Sequence, residues 1–420
     1  MLKSRASRPS DLKNENRAAI LRYVYDNGVT SKPDISKSLG ISKPTVSALV
    51  DELVAEHWLE PYGVGTSTTQ GGKPPILYRF NSRAGSVIGL HLGVDTLESA
   101  VVDLEMNLLV RSRIRYSRSD VIKALDTISS AIQSLVDKSR ELGIEVLGIG
   151  VSAPGVIQSR KGVLVKATHL QGWVDVPIGP YLSEQFELPV WVDNESRNSA
   201  LAEQWFGAGR DLNTFVTLLT KGGIGAGIIA NGAIYRGVDD SAGEIGHTTI
   251  DIHGPTCQCG NQGCWELYAS EGALLERFTQ ALQRERPAAL TALLERIEDG
   301  ETLTIDDLVT PYLGKEPFTL AQLKDYAYFL GVGITSLVNV FNPEVVFLHG
   351  NLSGFGEQLL EDIERIVKSR ALSLPAKRVR VKYSRFGNGM TVIGAATLVI
   401  REVIDGELLF GKTAMYDESP

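Results

Sequence analysis

The sequence has few cysteines and no long apolar stretch. Only three of its 420 residues are cysteine, and no run of 18 or more residues is apolar throughout. Because a transmembrane helix needs about 20 mainly apolar residues, we expect no membrane-spanning helix. The opening residues, MLKSRASRPSDLKNENR, lack the apolar core of a secretory signal. With the low, odd cysteine count, they indicate a cytoplasmic protein without a disulfide framework.

Charge is distributed unevenly along the chain. The net charge is −8, but residues 1–83 hold twelve Lys and Arg against eight Asp and Glu, a balance of +4 that leaves −12 for the remainder. The length and the 43% apolar content indicate more than one domain with sizeable cores. A basic segment on an acidic body favours contact with a polyanion.

The basic segment has the pattern of a helix-turn-helix. Residues 16–27 and the stretch TSKPDISKSLG read as two helices, the second of which ends at Gly40. A third helix follows, with Ser42 as its N-cap and Pro44 in its first turn. Its apolar residues recur at helical spacing and predict one buried face: Val46, Leu49, Val50 and Leu53.

The start of this third helix carries hydrogen-bond donors that are expected to contact DNA: Ser42, Lys43, Thr45 and Ser47. The next stretch, WLEPYGVGTSTTQGGKPPILYRFN, predicts a hairpin wing with Lys73 near phosphate or the minor groove. The alternative is a helical bundle that only mediates protein contacts. Since helix, turn, capped helix and basic hairpin agree, we predict that residues 1–82 form a winged helix-turn-helix that binds DNA.

The remaining sequence predicts two α/β lobes separated by a cleft. Three strands, a long amphipathic helix and an apolar strand follow Ser86, and a similar order recurs after residue 213. We assign residues 83–205 to the first lobe, completed by a helix near 391–405, and residues 206–390 to the second lobe. We interpret segment 283–309 as a solvated helical insertion. Ligands of such folds bind between the lobes.

All three cysteines lie in one short stretch, HTTIDIHGPTCQCGNQGCWELYAS, residues 247–270. This stretch supplies three thiolates and one imidazole, a complete tetrahedral set for structural Zn²⁺. The odd count disfavours a disulfide, and the clustering with glycines at turn positions disfavours simple buried thiols. The predicted metal ligands are His247, Cys257, Cys259 and Cys264.

Two carboxylates flank the predicted zinc ligands. Glu244 lies three residues before His247, and Glu266 lies two residues after Cys264. Rigidly placed carboxylates can accept hydrogen bonds from vicinal sugar hydroxyls, so we predict a sugar site beside the metal. The alternative is that both carboxylates only brace the cysteine loop.

The motifs SAGEIGH and CQCGNQGCWE, together with ISKPTVSALVDELVAEHWLE and GGKPP, resemble the ROK family of repressors, open reading frames and sugar kinases. The resemblance runs from about residue 14 to about residue 405. It implies a two-lobed actin-like, ribonuclease H-like sugar-kinase fold, with the four ligands above on zinc. It also implies sugar contacts from Asn194, Glu244, His247 and Glu266.

The sequence departs from the kinases of that family at four motifs. The first phosphate motif reads His91-Leu92-Gly93-Val94-Asp95, where the kinases resemble Asp-Ile-Gly-Gly-Thr. The second phosphate motif, Lys221 to Gly227, lacks the usual threonine. The motif on the adenosine side, at residues 349–351, does not have the three glycines that are usual in the kinases. The catalytic motif places Glu195 at the aspartate position, with Arg197 able to pair with it.

These departures predict loss of phosphoryl transfer, because the transfer requires a correctly positioned base and tightly bound phosphates. The sugar contacts implied by the resemblance are all present, so we expect sugar binding to be retained. Glu195 joins the candidate sugar contacts, as does His169, which stands where the family commonly has asparagine.

We therefore predict a sugar-responsive transcriptional regulator, most simply a repressor, and not an enzyme. Its expected partners are operator DNA, a small sugar effector and a second copy of the chain, since two-fold operators pair with dimers, which can assemble further into tetramers. Two alternatives stay open: a sugar kinase with an appended DNA-binding head, and a regulator sequestered by a transporter protein.

Overall fold

The computed structural model describes residues 9–66, 74–167, 170 and 172–411. Its first part, called the head from here on (residues 1–82), contains three helices and a small antiparallel sheet. The helices are α1 Pro9–Asn27, α2 Lys32–Leu39 and α3 Lys43–Ala55. The strands are β1 Thr30–Ser31, β2 Leu59–Val64 and β3 Ile76–Phe80, in the order β1-β3-β2. This is the predicted winged helix-turn-helix.

Capping determines where the head helices begin and end. Ser31 and Ser42 accept hydrogen bonds from the Asp34 and Thr45 amides at the starts of α2 and α3. Gly40 ends α2 in the left-handed region, at φ 67°. Helix α1 begins at Pro9, seven residues before the predicted start. The four apolar residues predicted for α3 are all buried.

The first lobe has a five-stranded sheet in the order β11-β7-β4-β5-β6 and a small sheet in the order β10-β9-β8. Its strands are β4 Ser86–Leu92, β5 Thr96–Asp103, β6 Leu108–Arg115, β7 Val146–Ala153, β8 Val156–Gln158, β9 Val163–Lys166, β10 Val174–Val176 and β11 Val190–Asn194. Its helices are α4 Val121–Glu141, α5 Ile178–Phe186 and α6 Glu195–Phe206. Strands β4, β7 and β11 run parallel, so the carboxyl ends of these strands meet at one edge.

The second lobe has a five-stranded sheet in the order β14-β13-β12-β15-β16. Its strands are β12 Phe215–Leu219, β13 Gly225–Ala230, β14 Ala233–Ile234, β15 Val345–His349 and β16 Arg380–Tyr383. Its helices are α7 Glu266–Ala269, α8 Glu271–Glu285, α9 Thr291–Glu298, α10 Ile305–Leu313, α11 Pro317–Phe341, α12 Glu357–Arg370 and α13 Ser373–Arg378. The two lobes confirm the predicted fold class.

Two terminal helices follow, α14 Met390–Ile404 and α15 Glu407–Phe410. Helix α14 lies directly on the sheet of the first lobe. A Cβ added to Gly150 on β7 would overlap the carbonyl oxygen of Ala395, so only glycine permits this approach. Helix α14 also shares one hydrophobic cluster with the head, in which Ile20 and Val399 are fully buried.

The interpretation of segment 283–309 as a solvated insertion is wrong. Leu290, just before α9, and Leu294 within it are 4% and 5% exposed, and Leu308 is fully buried. They pack into the main core of the second lobe. The charged residues of the segment obscured the spacing of its buried apolar residues.

Among the helices of the described ranges, none has the length and apolar character that a membrane span requires.

Candidate functional site

The four predicted metal ligands converge in the second lobe. The ligand atoms of His247, Cys257, Cys259 and Cys264 all lie within 4.8 Å of one another. The Cys259 and Cys264 sulfurs are 3.7 Å apart, and His247 Nδ1 lies 3.7 Å from the Cys257 sulfur. Two sulfurs bound at about 2.3 Å to one tetrahedral ion stand about 3.8 Å apart. The donor types and spacings therefore fit a tetrahedral metal ion.

The loop between residues 254 and 264 is shaped by backbone hydrogen bonds and one glycine. The Cys257 amide donates to the Asn261 carbonyl at 2.7 Å, and the Gly260 amide donates to the Cys257 carbonyl at 2.9 Å. Gly263 adopts φ 67°, and a Cβ there would overlap the Asp251 carbonyl. All three thiols are free of disulfides. The chain thus brings the sulfurs together without a covalent link.

Glu266 directly adjoins this cluster. Its Oε1 lies 3.2 Å from the Cys257 sulfur and 3.3 Å from His247 Nδ1. The preceding residue, Trp265, is 1% exposed and donates from its indole nitrogen to the Phe329 carbonyl on α11 at 2.9 Å. Its ring also lies against Gly333. Sequence reasoning missed Trp265, although a tryptophan next to a cysteine motif is a signal for a buried anchor.

A cavity of about 350 Å³ opens between the lobes, a size typical of small-molecule sites. Five of the predicted sugar contacts line it: Asn194, Glu195, Glu244, His247 and Glu266. The first two come from the start of α6, and the others come from the segment around the metal cluster. The sixth, His169, lies outside the described residues. The structure therefore brings carboxylates and an imidazole from both lobes to one cleft.

Asn194 is held in place by the backbone around it. Its side-chain oxygen accepts from the Ser196 amide at 2.8 Å and so caps α6, and its side-chain amide donates to the Gly155 carbonyl at 2.9 Å.

Glu244 is exposed to the cleft, yet the surrounding walls limit its hydration, and this partial burial raises the pKa of its carboxyl. Glu266 and Glu195 raise that pKa further, whereas His247 and Arg197 lower it. The cleft therefore presents a clustered set of acidic acceptors.

Glu195 contacts a residue different from the predicted one. Its Oε2 lies 3.0 Å from Nε2 of His91, the residue that replaces the aspartate of the kinase motif. Arg197, the predicted partner of Glu195, instead donates from Nε to Asp193 at 2.7 Å. Asp193 lies near the end of strand β11, just before α6 begins, and both side chains are 2% exposed, so the buried guanidinium of Arg197 pairs with the buried carboxylate.

The motifs that depart from the kinase patterns also line the cleft. Val94, Asp95, Lys221 and His349 all contribute to the cavity wall. Burial lowers the pKa of His349 to about 3, so this imidazole is neutral near pH 7. This part of the wall therefore carries an acidic side chain at position 95, a neutral imidazole at position 349 and a cation at position 221.

The predicted DNA-binding residues lie together at the start of α3. Ser42, Lys43 and Thr45 are exposed, and the Ser42 and Thr45 hydroxyls are 2.7 Å apart. Ser47 is half-buried and accepts a hydrogen bond from Nζ of Lys32 at 3.2 Å. Lys32 belongs to α2, and sequence reasoning missed this cation beside the predicted surface. Lys73, the predicted wing contact, lies outside the described residues.

A winged helix-turn-helix joined to a two-lobed body with a ligand-sized cleft defines the class of ligand-responsive DNA-binding regulators. Comparison with known proteins supports this assignment. Residues 13–60 match the winged helix-turn-helix DNA-binding family, and residues 87–402 match the ROK family. The chain belongs to the ROK family, as its motifs predicted.

Individual relatives include both regulators and an enzyme. The xylose repressor of Caldicellulosiruptor bescii is 32% identical over 400 residues, covering 94% of this chain and 97% of that protein. A solved ROK family transcriptional regulator, a homologue of the Escherichia coli MLC protein, superposes with a TM-score of 0.83 at 25% identity, covering 95% and 98% of the two chains. The glucokinase of Halalkalibacterium halodurans is also 32% identical, over 314 residues. That match covers 74% of this chain and 94% of the glucokinase.

Proposed function

We propose that the protein is a sugar-responsive transcriptional repressor that binds operator DNA through the head and a sugar in the cleft. The observation that carries the proposal is that one chain combines two features. The first turn of α3 exposes polar side chains, and the cleft between the lobes is lined by Asn194, Glu195, Glu244 and Glu266. The named relatives that match nearly the full length are regulators, among them a xylose repressor. We keep residues 1–82, 83–205 and 206–390 as the proposed domains.

To test the proposal, the sugar-free protein is used to select a duplex from a random DNA library. The protein–duplex complex is then titrated with sugars. Calorimetry against D-xylose, D-glucose and N-acetyl-D-glucosamine identifies the tightest ligand, which is then added to the protein–duplex complex. We expect the sugar to lower duplex affinity about 5- to 150-fold, the usual range of coupling between two sites. Failure to select any duplex at physiological salt would refute the regulator function.

Lys43 is expected to contribute a phosphate contact. Because each such contact releases counterions, Lys43→Ala should weaken binding to all duplex sequences and reduce the salt slope by about one. Fluorescence anisotropy at several salt concentrations measures both quantities. Lys123→Ala on α4 removes the same charge from an exposed site on the body and serves as the control. An equal loss in both variants would argue against the proposed DNA surface.

We propose that phosphoryl transfer is lost. The pairing of Glu195 with His91 at 3.0 Å engages the carboxylate at the kinase base position, and Asp95 brings negative charge to the phosphate side. Wild-type protein with ATP, Mg²⁺ and each sugar should release ADP no faster than Glu195→Ala, whereas kinases typically turn over about 1–100 times per second. A coupled assay measures this. ADP release that depends on both sugar and Glu195 would instead support the kinase alternative raised by the glucokinase relative.

The metal is proposed to be Zn²⁺ in a structural role. Three sulfurs and one imidazole are typical zinc ligands, and four protein ligands leave no open position for a substrate. Glu266 beside the Cys257 sulfur and His247 then joins the metal cluster to the cleft. A homodimer is proposed from the two-fold symmetry of operators.

A further inference from the structure

Helix α6 begins in the sugar cleft. Asn194 caps it, and Glu195, Ser196 and Ser199 on its first turns line the cavity. A ligand held by Asn194 and Glu195 therefore acts directly on the start of this helix. The helix is 12 residues long, and Trp205 lies ten residues beyond Glu195, about 15 Å along the axis.

Both lobes hold the body of α6 closely. A Cβ on Gly227 of β13 would overlap the Ser196 carbonyl, and a Cβ on Gly394 of α14 would overlap the Asn198 carbonyl. Glu203 is fully buried and faces His349 at the end of β15, with 3.8 Å between Oε1 and Nε2. Because packed interiors resist compression, a relative movement of the two lobes must shift α6 against at least one of them.

The far end of α6 contacts the head. The Arg22 guanidinium of α1 lies 4.5 Å from the centre of the Trp205 ring, and the Tyr25 ring lies 6.3 Å from it. Tyr25 in turn packs edge-on against Phe80 of wing strand β3, with 5.2 Å between ring centres. One aromatic residue at the end of α6 thus touches the helix α1 and, through Tyr25, the wing.

We propose that α6 is an element that couples the sugar site to the head and that Trp205 is the positioning residue through which it does so; the inference rests on the proposed sugar-responsive function. Sugar binding that draws the lobes together moves the start of α6, and the Trp205 ring moves Arg22 and Tyr25 with it. A sugar shifts the head only if it binds one lobe arrangement more tightly than the other. Contacts of the head with α15, such as Arg17 over Phe410 at 4.2 Å, hold the head without joining the cleft.

The test compares Trp205→Leu, which keeps an apolar side chain but removes the aromatic contacts, with the matched control Phe410→Leu at the same head–body interface. The selected duplex and the tightest of the three panel sugars serve as probes. For Trp205→Leu we expect sugar-free duplex affinity and duplex-free sugar affinity within about threefold of wild type, but a sugar effect on duplex binding reduced to less than about threefold. Phe410→Leu should retain the wild-type sugar effect.

Reciprocity provides a readout that a merely structural role would not change. In wild type the duplex should weaken sugar binding by the same factor by which the sugar weakens duplex binding, and in Trp205→Leu that factor should likewise fall below about threefold. Trp205→Phe should restore part of it. If Trp205→Leu unfolds, Tyr25→Leu removes the same contact from the head. A full sugar effect in the folded variant overturns the coupling proposal, whereas a wild type that binds both probes without mutual effect overturns the proposed function itself.

Discussion

Replacing Cys259 with serine is expected to remove the proposed metal and to weaken sugar binding about 100-fold, while the sugar-free protein still binds its operator. Cys259 is exposed, so serine disturbs no packing, but it removes one of four metal ligands. Without the metal, the position of Glu266 depends on contacts with residues that the metal no longer orients. Displacement of a contact group by about 1 Å can cost about 100-fold.

Metal content by elemental analysis and sugar affinity by calorimetry measure the two effects. Gln258→Ser is the matched control, because residue 258 is exposed on the same loop and offers no metal ligand. It should retain one metal ion per chain and wild-type sugar affinity. Unchanged sugar affinity in metal-free Cys259→Ser would show that the loop holds Glu266 without help, and the role given to the metal would be wrong.

Local patterns in the sequence were sufficient to predict the head and the convergence of His247 with the three cysteines. Ser42, Gly40 and the apolar spacing of α3 are all signals contained within one helix or its ends. The metal ligands lie within eighteen consecutive residues, so their chemistry specifies the site before any long-range fold is known. The strand and helix order of both lobes was predictable for the same reason, since hydrophobic periodicity is a local property.

Pairings between distant segments could not be predicted. Glu195 faces His91, 104 residues earlier in the chain, and the choice of this partner depends on how β4 and β11 meet at the sheet edge. The contact of Trp205 with Arg22 likewise depends on how the head docks on the first lobe. Segment 283–309 misled for a related reason, because its many charges masked the few leucines that enter the core.

Asp193→Asn is expected to destabilise the body by about 3–5 kcal/mol, the usual cost of breaking a buried ion pair. Asp193 is 2% exposed and lies between two guanidinium groups: Arg197 at 2.7 Å and Arg236 at 2.6 Å. Asparagine fills the same space but leaves the fully enclosed Arg197 without a counter-charge. Urea unfolding at neutral pH measures the loss. Asp137→Asn, which removes an exposed carboxylate paired with Arg140, should cost no more than about 1 kcal/mol.

The pH dependence of this difference tests its electrostatic origin. Burial opposes ionisation of Asp193, but Arg197 and Arg236 outweigh it, and the pKa of its carboxyl is lowered below the ordinary 3.8. A carboxyl with a lowered pKa stabilises the folded state fully above its ordinary value and loses that contribution as pH falls toward the folded-state pKa. The gap in unfolding free energy between wild type and Asp193→Asn should therefore be constant above pH 3.8 and narrow below it. A gap that stays the same at lower pH would assign the loss to packing, because the shape of the side chain does not titrate.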